Sequence, residues 1–371
     1  MIGIVMFFAA LAMLAIGFPV AFTFGSVSIF FGIGAAIVEL GSDVSFVTVY
    51  EEFFLMFSMM PFRIYSIMNN TILMAIPLFI FMGIVLQKSD LAERLLESMG
   101  LLFGKVRGGV AISTVLVGTL LAASTGVVGA SVVAMGVISL PVMLKYGYSK
   151  RLATGTICAA GTLGQIIPPS IVLIILGDVF GQPVGDLFKA AVWPGLTLVG
   201  MYITYILIVS FLKKDVAPAI TSHADSDEKP SISKALFAIV PPLTLIVLVL
   251  GSIFQGIATP TESASVGSVG ALLLAAMYKK LNWKVIEESA FETVKISSMV
   301  FAILIGATAF SMVFVYSGAD YIVEDFMMNL PGEKWSFLIL SMLAIMLLGF
   351  FIDFIEISYI VVPILMPISE A

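Results

Sequence analysis

The sequence is poor in the residues from which most soluble sites are built. Among 371 residues there is one cysteine, Cys158, and one histidine, His223. A single thiol excludes an internal disulfide and a cysteine-cluster metal site, and a lone imidazole in a polar loop leaves no histidine-ligated metal centre. Charge is scarce: Asp, Glu, Lys and Arg make up 11% of the chain, against roughly a quarter in soluble domains. Neither GxxxxGK[ST] nor HExxH occurs, so a nucleotide-binding P-loop and a zinc protease helix are both missing. The start "MIGIVMFFAALAML" lacks basic residues and runs straight into more apolar sequence, so it does not read as a cleavable signal peptide.

Apolar sequence fills the space left by these absences. The hydrophobic fraction is 60% and the mean hydropathy +1.13. A bilayer-spanning helix needs about 20 apolar residues, and nearly the whole chain divides into such pieces. An all-α polytopic membrane protein is expected, surrounded by lipid. The net charge of −6 says little about partners, and no nucleic acid is expected among them.

Apolar runs at 2–17 and 19–39 are parted by Gly17-Phe18-Pro19. Residues 42–70 suit an interfacial segment, 71–87 a span and 90–103 an amphipathic helix. An apolar stretch at 106–143, an interrupted one at 152–182 and a span at 188–212 follow. Residues 213–234, rich in Ser, Asp and Pro, read as a flexible linker. Beyond it lie spans at 235–254 and 262–278, a polar helix at 281–292, a span at 293–316, an amphipathic piece at 319–330 and a final apolar stretch at 334–368.

Lys and Arg set the orientation. Lys88, Arg94, Lys105 and Arg107 precede the stretch at 106–143, and Lys145, Lys150 and Arg151 follow it, so both its ends should face the cytoplasm. It must go in and come back, with Ser124-Thr125-Gly126 at the tip. Arms of about 17 residues fit a re-entrant hairpin as well as two short crossings. The linker and Lys279, Lys280 and Lys284 fall inside; 255–261 and the acidic 317–333 fall outside. The stretch at 334–368 then starts from the opposite side to the first hairpin.

Two spans, a third span, an amphipathic helix and a hairpin thus occur at 1–143 and again, inverted, at 235–368. Inverted repeats mark secondary transporters. The first half continues through 144–212; by symmetry about 70 residues would follow the last one here, so a C-terminally truncated chain is expected. Five segments result: scaffold helices and an interfacial segment at 1–70, a first transport repeat at 71–212, the linker at 213–234, scaffold helices and a polar arm helix at 235–292, and an incomplete second transport repeat at 293–371.

In "AAGTLGQIIPPSI", residues 159–171, Gly161, Gly164, Pro168 and Pro169 would break any helix. Inside a membrane, freed carbonyls are tolerated only where protein, water or an ion satisfies them, and Thr162 and Ser170 add hydroxyl oxygens. A cation site and a plain proline kink are the two readings. Asp353 and Glu356 lie near the second tip, where an ionised group is costly unless it faces a wet or charged interior. Asp353 reads as coupling a cation or proton; Glu356 stays undecided. "ATPTESASVG", residues 258–267, has a structural explanation: Thr259 as N-cap, Pro260 in the first turn and Glu262 completing a capping box. Cys158 reads as a packing residue and His223 as solvated linker. An intramembrane aspartyl enzyme using Asp178 and Asp353 is the alternative to transport, and has no supporting motif.

The ordered text "AIPLFIFMG", "RGGVAIS", "ASTGVVGASVVAMGVISLP", "GYSKRLATGTICAAGTLGQIIPPSIVLIILGD", "TPTESASVG" and "PILMP" resembles the large membrane subunit of the tripartite ATP-independent periplasmic (TRAP) transporters. "FRIYSIMNNTILMAIPLF" with the STG tip is most similar to the branch labelled mannitol/chloroaromatic-compound transporters. The resemblance implies a sodium-driven elevator in the bacterial inner membrane that imports small organic acids. It also implies two partners, a small four-helix membrane subunit and a soluble periplasmic binding protein. Sodium sites carry over to Ser124, Thr125, Gly126, Gly161, Thr162 and Gly164, and in part to Gly349 and Asp353. The substrate is expected at Ser131, Pro168, Pro169 and Ser170. Sodium is the coupling ion; no other cofactor or metal is implied.

Overall fold

The computed structural model describes residues 1–41, 45–89, 91–125, 128–213, 215–219 and 232–370. Every regular element among them is helical. The first half holds α1 (Ile2–Ile16), α2 (Val20–Leu40), α3 (Phe46–Phe57), α4 (Met60–Met68), α5 (Ala75–Lys88), α6 (Leu91–Phe103), α7 (Gly109–Thr125) and α8 (Val128–Lys145). Then come α9 (Lys150–Thr162), α10 (Ile171–Phe180) and α11 (Val184–Leu212). The second half holds α12 (Ile232–Phe254), α13 (Pro260–Met277), α14 (Trp283–Tyr316), α15 (Ala319–Met328), α16 (Glu333–Leu348), α17 (Phe354–Glu356) and α18 (Val362–Glu370), the last two joined by a π turn, Ile357–Val361. Among the described residues, helices α2, α11 and α14 are long and apolar enough to cross a membrane, and eight further apolar helices are shorter.

The expected interfacial segment at 42–70 holds the helix pair α3–α4, and a short helix followed by further helices, α6 before α7–α8 and α15 before α16–α18, occurs in both halves. Two expectations fail. The polar helix at 281–292 and the span at 293–316 form one 34-residue helix, because no glycine or proline interrupts the passage from charged to apolar sequence. The linker is not free from its first residue: Val216 and Ala217 offer their carbonyls to the Ser149 and Gly108 amides at 2.9 and 3.2 Å, and Ala217 is fully buried. Backbone pairing there overrides the polar composition, and residues 220–231, with His223, lie outside the described residues.

The chain divides into two compact units. The first comprises Met1–Asn70, Val179–Gly181 and Ser297–Ala371. Met6, Ala10 and Leu14, spaced one turn apart on α1, enter its core with Phe24 and Val27 of α2 and Phe310 and Phe314 of α14. The Phe310 ring meets that of Phe24 edge-on at 5.2 Å. Small residues let these helices close: a Cβ on Gly306 would stand 2.7 Å from the Ala21 carbonyl oxygen. Tyr316, at the end of α14, donates to Glu52 of α3 at 2.7 Å.

The second unit comprises Thr71–Asp178 and Gln182–Ile296. Its backbone is the pairing of α13 with α5. Thr261 and Ser268 donate across that contact to the carbonyls of Thr71 and Leu78, at 2.7 and 2.9 Å. The "TPTES" text is therefore structural, as the sequence reading had it. Thr259 accepts from the Glu262 amide, and the Glu262 carboxylate accepts from the Thr259 amide, forming a full capping box. Thr259→Ala should cost about 1 kcal/mol, read as a lower melting temperature in detergent. An unchanged melt would show that the cap contributes nothing.

Lys88, ending α5, reaches Glu288 at 3.0 Å and Glu292 at 2.9 Å on the first turns of α14. That network fastens the polar arm to the unit. It lies toward the surface, so its contribution is small and falls with salt.

Candidate functional site

The first hairpin is held at its base by its own flanks. The buried Tyr148 hydroxyl accepts from the Val110 amide at 3.2 Å, covering an orphan donor at the start of α7. Ser149 caps α9, accepting from Leu152. With base and cap fixed, α9 runs along the hairpin, and glycines set the closest approaches. A Cβ on Gly118 of α7 would lie 2.7 Å from the Ala160 side chain. One on Gly161 would lie 2.4 Å from a Val132 methyl and 2.9 Å from the Val132 Cα on α8. The end of α9 is therefore wedged against both arms of the hairpin at backbone contact. Proline and glycine chemistry accounts for the break; glycine also accounts for where it sits.

Beyond Thr162 the helix tightens into a 3-10 turn, Leu163–Gln165, and then unwinds, with a cis peptide bond between Pro168 and Pro169. Pro168 has no N–H for the Gly164 carbonyl, and Pro169 has none for Gln165. The Gln165 carbonyl is taken by the Ser170 hydroxyl, which also accepts from the Leu173 amide at 3.4 Å. Ser170 thus closes the break and caps α10. Gly161, Gly164, Pro168, Pro169 and Ser170 are buried; Thr162 is exposed, its hydroxyl donating to the Ala159 carbonyl at 2.9 Å. That leaves oxygen lone pairs and the amides of a half-helix start at one place, with no Asp, Glu, Lys, Arg or His among 152–177. Such a place can ligate a hard cation through carbonyl and hydroxyl oxygens, and can meet an anion at the α10 N-terminus.

Of the predicted residues on the hairpin, Ser124 and Thr125 close α7, and Gly126 lies outside the described residues. Ser131 is buried on α8 and has a polar partner. Cys158, read as a packing residue, is exposed. The packed face of α9 carries Ala153, Thr156, Ile157, Ala160 and Gly161, and position 158 falls on the opposite side of the turn.

The second hairpin belongs to the other unit. Gly349 ends α16 at ordinary helical angles, and its added Cβ would meet only its own turn's carbonyls, at 3.3 Å or more. Asp353 is exposed and accepts from the Phe354 amide at 2.8 Å, which makes it the N-cap of α17. Glu356, three residues on, is 1% exposed, and among the described residues neither of its carboxylate oxygens has a hydrogen-bond partner of normal geometry. The sequence favours Asp353 and leaves Glu356 undecided; burial singles out Glu356. The signal was present in the N-cap and N3 spacing, which turns the fourth residue of "DFIE" back toward the helix start. A π turn follows at once, a feature frequent at functional sites.

Residues 5–371 match the family described as "Tripartite ATP-independent periplasmic transporter, DctM component". The chain is 32% identical over 308 residues to the C4-dicarboxylate TRAP transporter large permease protein DctM of Pseudomonas aeruginosa, covering 83% of this chain and 71% of that protein. It is 30% identical to the ectoine TRAP transporter large permease protein TeaC of Halomonas elongata, covering 81% and 69%. It is 28% identical to the isethionate TRAP transporter permease protein DctMQ of Oleidesulfovibrio alaskensis, covering 80% and 46%. These relatives are transporters, and no enzyme reading survives beside them. With its repeated helical order, its glycine-wedged broken helix and a match over nearly its whole length, the chain belongs to the DctM family, the large permease subunits of TRAP transporters.

Proposed function

We propose that the chain drives sodium-coupled uptake of a small organic acid across the bacterial inner membrane, by an elevator motion of the hairpin-bearing parts. The observation that carries this reading is the broken helix α9–α10 wedged by Gly118 and Gly161 against the first hairpin. One sodium is held there by Ser124, Thr125 and Gly126 against Gly161, Thr162 and Gly164; a second uses Gly349 and Asp353. The substrate carboxylate is met by Ser131 and by Pro168, Pro169 and Ser170 at the start of α10. Relatives named for C4-dicarboxylates, isethionate and ectoine support a small carboxylate, sulfonate or zwitterion as the cargo class. The text at 62–79 supports the mannitol/chloroaromatic-compound branch.

A small four-helix membrane subunit and a soluble periplasmic binding protein complete the system; the fused DctMQ relative carries both permease components in its name. Residues 1–70 and 235–292 serve as scaffold and arm, and 71–212 and 293–371 as transport repeats.

The test is uptake against sodium concentration in proteoliposomes holding all three components. Thr162→Ala and Ser124→Ala should each raise the sodium needed for half-maximal uptake several-fold, more for whichever side chain is a ligand. Identical sodium dependence in both variants and in the double variant would place the ion elsewhere. Vigorous uptake by the large subunit alone would remove the tripartite part of the reading. Orientation is checked by cysteine replacement at Ser226 and Ser317 in a Cys158→Ala background. A membrane-impermeant reagent should label only position 317 in cells whose outer membrane has been made permeable to it.

A further inference from the structure

The transport reading leaves one groove of the second unit unused. It measures roughly 700 Å³ and lies between α9 and α11, with Val115 of α7 behind it. Its walls are apolar: Val115, Leu152, Met201, Tyr205, Ile206 and Val209. Two cations line it, Arg151 from the first turn of α9 and Lys213 from the end of α11. The Ser149 amide bonds the Val216 carbonyl at 2.9 Å, so the α9 start and the α11 end meet, and both cations stand at the same mouth. No acidic residue lines the groove, and among the described residues neither cation has an ion-pair partner. From Met201 to Lys213 the α11 wall rises about 18 Å at 1.5 Å per residue, close to the roughly 15 Å depth of one hydrocarbon leaflet.

A small organic acid is too short to span both the apolar walls and the cationic mouth, whereas an amphiphile fills both parts at once. We propose that the groove holds an anionic phospholipid, its phosphate between Arg151 and Lys213 and an acyl chain along Val115, Met201, Ile206 and Val209. The mouth lies on the side that Lys and Arg mark as cytoplasmic, where basic pockets between membrane helices take anionic headgroups. The lipid braces α9, the arm that carries Gly161 and Thr162, against α11. Gly155 supplies an independent lever. It lines the groove, and a Cβ added there meets nothing within 4 Å, so a larger side chain enters the groove without strain on the fold.

The experiment is native mass spectrometry of the full-length protein in mild detergent, titrated with phosphatidylglycerol and, separately, phosphatidylcholine. Wild type should retain one phosphatidylglycerol with at least tenfold preference over phosphatidylcholine. Arg151→Gln with Lys213→Gln, and Gly155→Leu alone, should each lower phosphatidylglycerol affinity at least tenfold, with wild-type melting curves. Soluble glycerol phosphate should not displace the lipid. Equal retention in wild type and both variants overturns the proposal. Loss with the charge pair but not with Gly155→Leu reduces it to surface attraction and overturns the groove. Displacement by glycerol phosphate gives the site to a free anion, and protection of the groove by a membrane subunit in lipid-free protein gives it to a protein partner; either overturns it. Lipid retention needs no transport, so its outcome is independent of the sodium assay.

Discussion

Gly161→Val should be the most damaging single substitution in the broken-helix region. The first added carbon already stands 2.4 Å from a Val132 methyl and 2.9 Å from the Val132 Cα, and a backbone atom cannot rotate away. Helices α8 and α9 must separate, and the contact of Gly118 with Ala160 on the other arm is pulled with them. Overpacking of this kind costs about 1–3 kcal/mol and sometimes more; the two extra methyls of valine place it at the upper end. The measurement is thermal unfolding in detergent, with uptake in proteoliposomes as a second readout, and both should fall. Gly155→Ala on the same helix is the control. Its Cβ meets open space, and alanine gains up to about 1 kcal/mol over glycine inside a helix. If Gly161→Val melts with wild type, the wedge is not a contact that holds the break in place.

Glu356→Met should raise stability. The carboxylate is 1% exposed and, among the described residues, neither oxygen has a hydrogen-bond partner of normal geometry, so the fold carries a desolvation penalty there. Removing such a group while keeping its volume returns about 1–3 kcal/mol; methionine matches glutamate in length and is apolar. Uptake should fall at the same time, since an uncompensated acid inside a membrane protein persists where function requires it. Asp353→Asn is the companion. Asparagine caps a helix as well as aspartate does, so the α17 start should survive with little change in melting temperature. A Glu356→Met variant that melts well below wild type would mean the carboxylate has a stabilising partner, and the argument from burial would fail.

The membrane class, the helix order, the hairpin at 106–143 and the break at 159–171 were legible in the sequence. Each rests on chemistry local to a few residues: apolar runs of span length, basic clusters at their ends, and prolines that remove donors. The capping box at Thr259 was equally local, because cap and N3 acid are three residues apart. Three-dimensional packing decided the rest. Gly161 reads as a helix breaker and Gly118 carries no signal of its own, yet the structure uses both as contact points between helices, which depends on partners elsewhere in the chain. Charge scarcity flagged both Asp353 and Glu356, but only burial separated the exposed cap from the buried acid. Polar composition marked 213–234 as linker, while backbone bonds from Ser149 and Gly108 docked its first part. Cys158 was small and apolar enough to pack, and the phase of α9 turned it outward. A sequence states which conformations each residue permits; which carbonyl, methyl or cation lies opposite is set by segments that meet only in the fold.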